Sequence, residues 1–501
     1  MLTSYLKMYT GANEPTMRKK ALLSYGLRTL AMTLMFIPIT ALPVFAQVYD
    51  VVISNGRVMD PESNLDGVQN IGISKGVIQT ITTEPCQGNT RIDAHGLIVS
   101  PGFIDLHVHL DLRGQDQINF SVKAMDGVTT ALDLESGVRD VDRWYAMREG
   151  KALINYGTSV SHAGIRMSVM RDPGPVFPTG DAAKRAASAP ELREIKLQIE
   201  KGLERGAVGI GLLLEYTPAA GREEILEIFR LAAKFNTPCY VHMRRANDPS
   251  ALQEVIDAAE ATRGPLHVVH INSMGLANTP KFLQTISEAQ SRGLDITTEC
   301  YPYTAAATGI ESALFSEGWK ERLGIDYKDL EWAATGERLT EGKFKFYRQR
   351  GGIVIVHVMS EDMIQLAVAH PLTTIASDSL LQDGKGHPRS SGTFCRVLGQ
   401  YVREKKALTL MEALRKMTLM PAQRLEARVP AIRNKGRIRV GADADITIFD
   451  YEKVIDRATF KEPAKYSEGI KYVLVNGALV VKEGQLQTGI APGKPVRAAI
   501  K

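Results

Sequence analysis

Along residues 49–99 short β-rich runs alternate with turn residues: Val51-Val52-Ile53-Ser54 before Asn55-Gly56, 68–73 before Lys75-Gly76, then 77–81. Apolar and polar positions alternating with a period of two, broken by such pairs, predict a small antiparallel sheet. The same texture returns near the other end, in 444–449 and in Val473-Leu474-Val475 before Asn476-Gly477. The two ends are therefore expected to pair into one small composite β-sandwich built from residues 47–100 and 431–501. Between them the pattern changes to strand-length apolar runs with helical stretches in the gaps, the mark of a parallel sheet of βα units. Eight runs qualify: 103–109, 128–134, 159–166, 208–214, 238–242, 266–271, 296–301 and 374–378. The segments 189–205 and 222–235 have amphipathic helical spacing, and an extra run at 353–359 competes for the last strand. The expected fold is α/β, a TIM-like (β/α)8 barrel over residues 101–430 with an insertion or lid at about 312–352.

With 501 residues, 44% hydrophobic and 23% charged, the chain can bury a large core. Its net charge of +5 lies mostly in the first 46 residues, where Lys7, Arg18, Lys19, Lys20 and Arg28 against Glu14 contribute +4. The remainder is almost neutral, so nucleic acid is not an expected partner. Arg18-Lys19-Lys20 precedes an apolar run at 30–42 that closes on Pro43-Val44-Phe45-Ala46, the layout of a signal peptide cleaved after Ala46. Translation from Met17 would give that leader an ordinary length. A periplasmic or secreted location follows, without stable membrane insertion once the leader is removed, because Pro38 interrupts a run already short for a spanning helix. The four cysteines, Cys86, Cys239, Cys300 and Cys395, are widely spaced and form no disulfide framework. A homo-oligomer is as compatible with this chain as a monomer.

In such a barrel, chemistry collects at the C-terminal ends of the strands. His107 and His109 follow the first strand and alternation points both imidazoles the same way. Glu135 follows the second strand, His242 the fifth, His270 the sixth and Asp378 the eighth. Four imidazoles and two carboxylates suit zinc, with room for one or two divalent ions. In the two-ion arrangement His107, His109 and Asp378 hold one ion, His242 and His270 the other, and Glu135 bridges, with Glu215 as the alternative bridge. Such ions bring the pKa of bound water from about 15.7 to about 7.

The stretch Pro101-Gly102-Phe103-Ile104-Asp105 leading into His-x-His, then Asp126-Gly127-Val128-Thr129-Thr130, resembles the amidohydrolase superfamily. The closing Gly441-Ala442-Asp443-Ala444-Asp445 and Val475-Asn476-Gly477 are similar to that superfamily's composite β domain. More narrowly, His242-Met243-Arg244, Tyr301-Pro302-Tyr303, Ser377-Asp378 and His387-Pro388-Arg389 with Gly392-Thr393-Phe394 resemble the N-acyl-D-amino-acid deacylase (D-aminoacylase) branch. The resemblance implies hydrolysis of a linear amide in a small-molecule substrate, an N-acyl amino acid or short peptide. Asp378, matching the family's aspartate, would take the proton of the nucleophile and return it to the departing amine. Arg244 and Arg389 are candidates to grip a substrate carboxylate, and Tyr301 or Tyr303 to donate to that group or to the oxyanion. His162 and His387 could orient a ligand, whereas His267 reads as packing.

Two departures matter. Ile271-Asn272 stands where the deacylases carry His-Lys, and Glu135-Ser136 where they carry Asn-Cys. The second favours a bridged pair of ions. The first removes a cation expected near a substrate carboxylate, and so keeps open cyclic-amide or lactone hydrolysis in the manner of dihydroorotase relatives. A non-catalytic binding relative is the remaining alternative, against which the full set of competent ligand residues counts.

Overall fold

The computed structural model describes residues 47–110 and 116–501; the leader expected over 1–46 lies outside the described residues. Eight parallel strands form the barrel: β1 (Phe103–Asp105), β2 (Val128–Val138), β3 (Asn155–Ser161), β4 (Ile210–Leu213), β5 (Cys239–His242), β6 (Leu266–Val268), β7 (Ile296–Cys300) and β8 (Thr373–Ile375). They pair in that order. Parallel strands wrapped by helices are buried on both faces, which is why these segments read as near-continuous apolar runs. The ring closes just beyond the strand ends, where His109 N donates to Ser379 O at 3.0 Å and Ser379 N to His107 O at 3.3 Å. A buried polar cluster supports that seam: Lys123 Nζ lies 2.6 Å from Ser377 Oγ and 3.1 Å from Asp105 Oδ2.

The expected helices are Ala189–Glu204 and Arg222–Phe235. The third strand differs from the run at 159–166. It ends at Ser161, whose Oγ accepts from Gly164 N at 3.1 Å and caps the helix His162–Val169. The apolar residues after Ser161 are helical, and His162 opens a helix instead of closing a strand.

The run at 353–359 is no barrel strand. Ile353–His357 pairs antiparallel with Ala305–Gly309 and with Leu330–Trp332, which also holds Glu337–Arg338. The insertion therefore spans about 305–357, wider than 312–352. It reads as a barrel strand because both its faces are covered: Val354 and Val356 join Phe315, Trp319 and Phe344 in the lid's own core, while Ile355 packs with Ala305 and Ala333.

Both chain ends meet in one nine-stranded sheet. Val48–Asp60 pairs antiparallel with Leu65–Ser74, and Ile98–Pro101 runs parallel to it. The C-terminal strand Ile446–Phe449 then pairs antiparallel with Ile98–Pro101. Ile53, Ile71, Ile446 and Leu474 lie in its separate core. Asp445 ties this sheet to the barrel, accepting from Asn155 Nδ2 at 2.8 Å and from Lys435 Nζ at 2.7 Å. Ile98–Pro101 leads into β1 within two residues, so the sheet fixes the strand that carries His107 and His109. The four cysteines are free and buried, and among the described residues no helix is long and apolar enough to cross a membrane.

Candidate metal centre

Glu135 stands at the middle of the barrel mouth because β2 bulges there. Its register against β3 steps from Asp133 opposite Thr158 to Val138 opposite Val160. Gly137, at φ +61°, makes the step; a Cβ on it would lie 2.4 Å from Ser159 Oγ, so glycine is required. The two carboxylate oxygens of Glu135 then face different histidine pairs. Oε2 lies 3.1 Å from His107 Nε2 and 3.6 Å from His109 Nε2, whereas Oε1 lies 2.9 Å from His242 Nδ1 and 3.0 Å from His270 Nε2. Asp378 Oδ1 completes the first group, 3.1 Å from His109 Nε2 and 3.5 Å from His107 Nε2. Two donor sets result, His107, His109, Glu135 and Asp378 in one and Glu135, His242 and His270 in the other, each with its donor atoms within 4.8 Å of one another. His270 and Asp378 have φ of +28° and +50°; non-glycine residues held in this region cluster at functional sites.

The donors fit a divalent cation. His107 Nε2 is buried with no hydrogen-bond partner although it faces two carboxylates, and a borderline ion such as zinc takes imidazole nitrogen and carboxylate oxygen together. Burial pushes the Glu135 carboxyl up, but His107, His242 and His270 outweigh it and hold the group well below the carboxylate range. Burial pushes His107 down, while Asp378, Glu135 and Glu299 raise it well above its ordinary value. The pocket is thus a buried concentration of negative charge that attracts cations.

Each imidazole is also held at its far nitrogen. His107 Nδ1 meets Glu299 Oε1, His109 Nδ1 meets Ser136 Oγ at 3.1 Å, His242 Nε2 meets Glu215 Oε2 at 3.0 Å, and His270 Nδ1 meets Ser273 Oγ at 3.0 Å. Such partners fix ring orientation and tautomer. Glu215, read from sequence as the alternative bridge, reaches only the outer nitrogen of His242 and lies beyond the two sets. Glu299 and Ser273 escaped the sequence reading. Glu299 had a signal, a carboxylate inside a strand expected to be buried on both faces; Ser273 had none beyond its place three residues after His270. His267, read as packing, completes the chain, with Nε2 3.0 Å from Glu299 Oε2 and Nδ1 2.7 Å from Thr297 Oγ1. Replacing Glu299 by Gln removes the charge behind His107 and is expected to lower zinc affinity about 10- to 100-fold, read by competition with a chromogenic chelator. Unchanged affinity would show that Glu299 lends His107 no support.

A cavity of about 620 Å³ opens over the centre and is lined by His109, Glu135, His242, His270 and Asp378. The substrate candidates divide. Arg244 is turned away from it, paired with Glu254 at 2.9 Å and donating to Pro218 O and Ala220 O. Tyr303 donates to Asp456 Oδ2 at 3.1 Å and is likewise outside the lining. Arg389 and Tyr301 are also outside the lining, but they stand directly behind Asp378, which does line the cavity: Arg389 is fully buried with Nη2 2.9 Å from Asp378 Oδ2 and its guanidinium 4.5 Å over the Tyr301 ring. Asp378 is the carboxylate paired with Arg389, and the Tyr301 hydroxyl interacts with Arg389 and Ser273. His387 holds the backbone of Arg389, its Nδ1 accepting from Arg389 N at 3.0 Å. His162 pairs with Glu224 at 2.7 Å and touches no candidate ligand. Asn272, where the deacylase branch has lysine, clamps the backbone of Tyr301 through its side chain.

Comparison with known proteins gives the same architecture and chemistry. The amidohydrolase family matches residues 90–481. N-acyl-D-glutamate deacylase from Alcaligenes xylosoxydans xylosoxydans is 31% identical over 494 residues, covering 89% of this chain and 96% of that protein. D-aminoacylase from the same organism is 30% identical over 496 residues, covering 90% and 98%. The crystal structure of N-acyl-D-glutamate deacylase from Bordetella bronchiseptica, complexed with zinc and a phosphonate mimic of the tetrahedral intermediate, superposes with a TM-score of 0.77 at 27% identity, covering 90% of this chain and all of that one.

Proposed function

This chain belongs to the amidohydrolase family, and from that premise we propose that it is an exported deacylase that hydrolyses the amide bond of an N-acyl-D-amino acid. The observation that carries the linear substrate is the pair Arg389 and Tyr301. Arg389 is paired with Asp378 and lies over the Tyr301 ring, so the planar fork and the phenol that a carboxylate takes stand together beside the candidate proton-transfer group. They supply what the missing lysine at Asn272 would have given, and they weigh against a lactone or any ring that carries no carboxylate. The D configuration rests on the named relatives, and export to the periplasm or beyond on the basic and apolar leader before residue 47.

His107, His109 and Asp378 would hold one zinc ion and His242 and His270 a second, with one Glu135 oxygen toward each. When bound, the ions polarise the acyl carbonyl and bring the ionisation of water close to neutral pH. The protein's own part is proton movement and orientation. Burial pushes the Asp378 carboxyl up, but Arg389 and His107 outweigh it and hold it ionised, well below the carboxylate range. Held as a carboxylate at the edge of the donor set, Asp378 is the group placed to accept a proton from the attacking water and pass it to the amine nitrogen as the C–N bond breaks. Arg389 and Tyr301 would fix the α-carboxylate so that this nitrogen lies next to Asp378.

The test is release of free amine from matched N-acyl-D- and L-amino acids by the metal-loaded protein. Release from the D series only is the expected result; activity on lactones or cyclic amides without amine release would overturn the reading. Arg389→Ala is expected to raise KM for the N-acyl amino acid by about 10- to 100-fold, the worth of one charge-assisted contact of about 1.5–3 kcal/mol. A variant with unchanged KM would remove Arg389 from carboxylate binding.

A further inference from the structure

We infer that the acyl group this enzyme removes is a long apolar chain of about eight carbons or more, and that the compartment between His242 and the lid is its binding site. The inference rests on the deacylase reading above, because that reading fixes the direction of the substrate. The amine leaves on the side of Asp378 and Arg389, so the acyl substituent must point the opposite way, across Glu135 and past His242.

On that side the wall turns apolar at once. The Tyr216 ring stands edge-on to His242 with centroids 5.0 Å apart, and Phe177 stacks on Tyr216 at 4.5 Å and 17°. Leu213 and Ala163 pack with them. The lid closes the far side with Ala307, Leu314, Leu323 and Ile353. Two contacts hold it there: Tyr216 Oη lies 2.7 Å from Thr308 Oγ1, and a Cβ on Gly309 would come within 2.8 Å of the Phe177 ring.

Three charged residues in the lining, Asp172, Glu311 and Arg350, have their heads engaged by neighbouring groups. The Asp172 carboxylate accepts four backbone N–H groups, from Gly174, Thr179, Gly180 and Ala182. Glu311 accepts from Gly352 N at 3.1 Å, and Arg350 stacks on Phe346 at 3.5 Å. Arg139 and Arg171 line the cavity from exposed positions. The 620 Å³ holds the metal centre and the amino-acid part as well; an acetyl group would stop short of the apolar wall formed by Tyr216, Phe177 and the lid, whereas an extended acyl chain would cover it. Chain length is then a source of binding, since each buried methylene contributes about 0.8 kcal/mol, or about fourfold.

The experiment follows amine release by the zinc-loaded protein from one D-amino acid carrying acetyl, butanoyl, octanoyl or dodecanoyl groups. The expected result is a kcat/KM that climbs about two- to fourfold per methylene, leaving octanoyl about 60- to 4,000-fold above acetyl over the six added methylenes. The ratio of octanoyl to acetyl kcat/KM is expected to fall about tenfold in Leu323→Asp, which puts a charge in the wall, and in Ala307→Phe, which fills it. Two differently placed variants and a ratio keep partial misfolding from mimicking the effect. Acetyl hydrolysed as well as octanoyl, or a rate that follows the amino-acid side chain and ignores the acyl chain, overturns the inference and leaves the deacylase reading standing. Absence of amine release from every member overturns both.

Discussion

Asp378→Asn is expected to lower kcat by about 10²- to 10⁴-fold, the usual worth of a positioned acid and base, while leaving the metal content of the protein largely in place. Asparagine keeps the size of the side chain and an oxygen that can still face Arg389 Nη2, now 2.9 Å from the carboxylate. Its oxygen can also remain a neutral donor to the cation beside His109. What it cannot do is accept a proton from water and carry it to the amine. An amine is a poor leaving group until it is protonated, so the deficit should appear in kcat with little change in KM. The check pairs steady-state kinetics with metal analysis of the same preparation. Retained turnover at full metal content would remove Asp378 from the proton-transfer role and leave it as a ligand alone.

Glu135→Ala is expected to change both stoichiometry and stability. One carboxylate now serves two donor sets, Oε2 toward His107 and His109 and Oε1 toward His242 and His270. Without it the second set is reduced to two imidazoles, too few to hold an ion against water, whereas the first keeps His107, His109 and Asp378. Metal analysis should therefore fall from two ions per chain to one. In the metal-free protein the same substitution strips the buried histidines of their shared counter-charge. Breaking a buried pair by deleting one partner costs about 3–5 kcal/mol, which a denaturant titration of metal-free protein would read as a lower midpoint at unchanged slope. A variant that still binds two ions would assign the bridge to another group.

The barrel and its composite satellite were legible in the sequence because both depend on short-range periodicity. Buried parallel strands give apolar runs, hairpins give alternation, and pairs such as Asn55-Gly56 and Asn476-Gly477 mark the turns. The errors arose where one pattern has two causes. The apolar stretch that continues beyond Ser161 belongs to a helix, and Ile353–His357 is apolar on both faces because the lid has a core of its own. Neither ambiguity can be removed without knowing what lies opposite.

Sequence by itself determined which residues stand at the strand ends: His107, His109, Glu135, His242, His270 and Asp378 all follow apolar runs, and in a barrel those ends share one mouth. Only the tertiary structure decided what each side chain meets there. Glu299 reaches His107 across 192 residues, Glu215 takes the outer nitrogen of His242, Arg244 turns to Glu254, and Arg389 is buried against Asp378. The reason is geometric. A strand end is written in local alternation, but the face a side chain presents changes with a single residue of register. That register is set by distant contacts such as the bulge at Gly137 against Ser159 and the seam at Ser379.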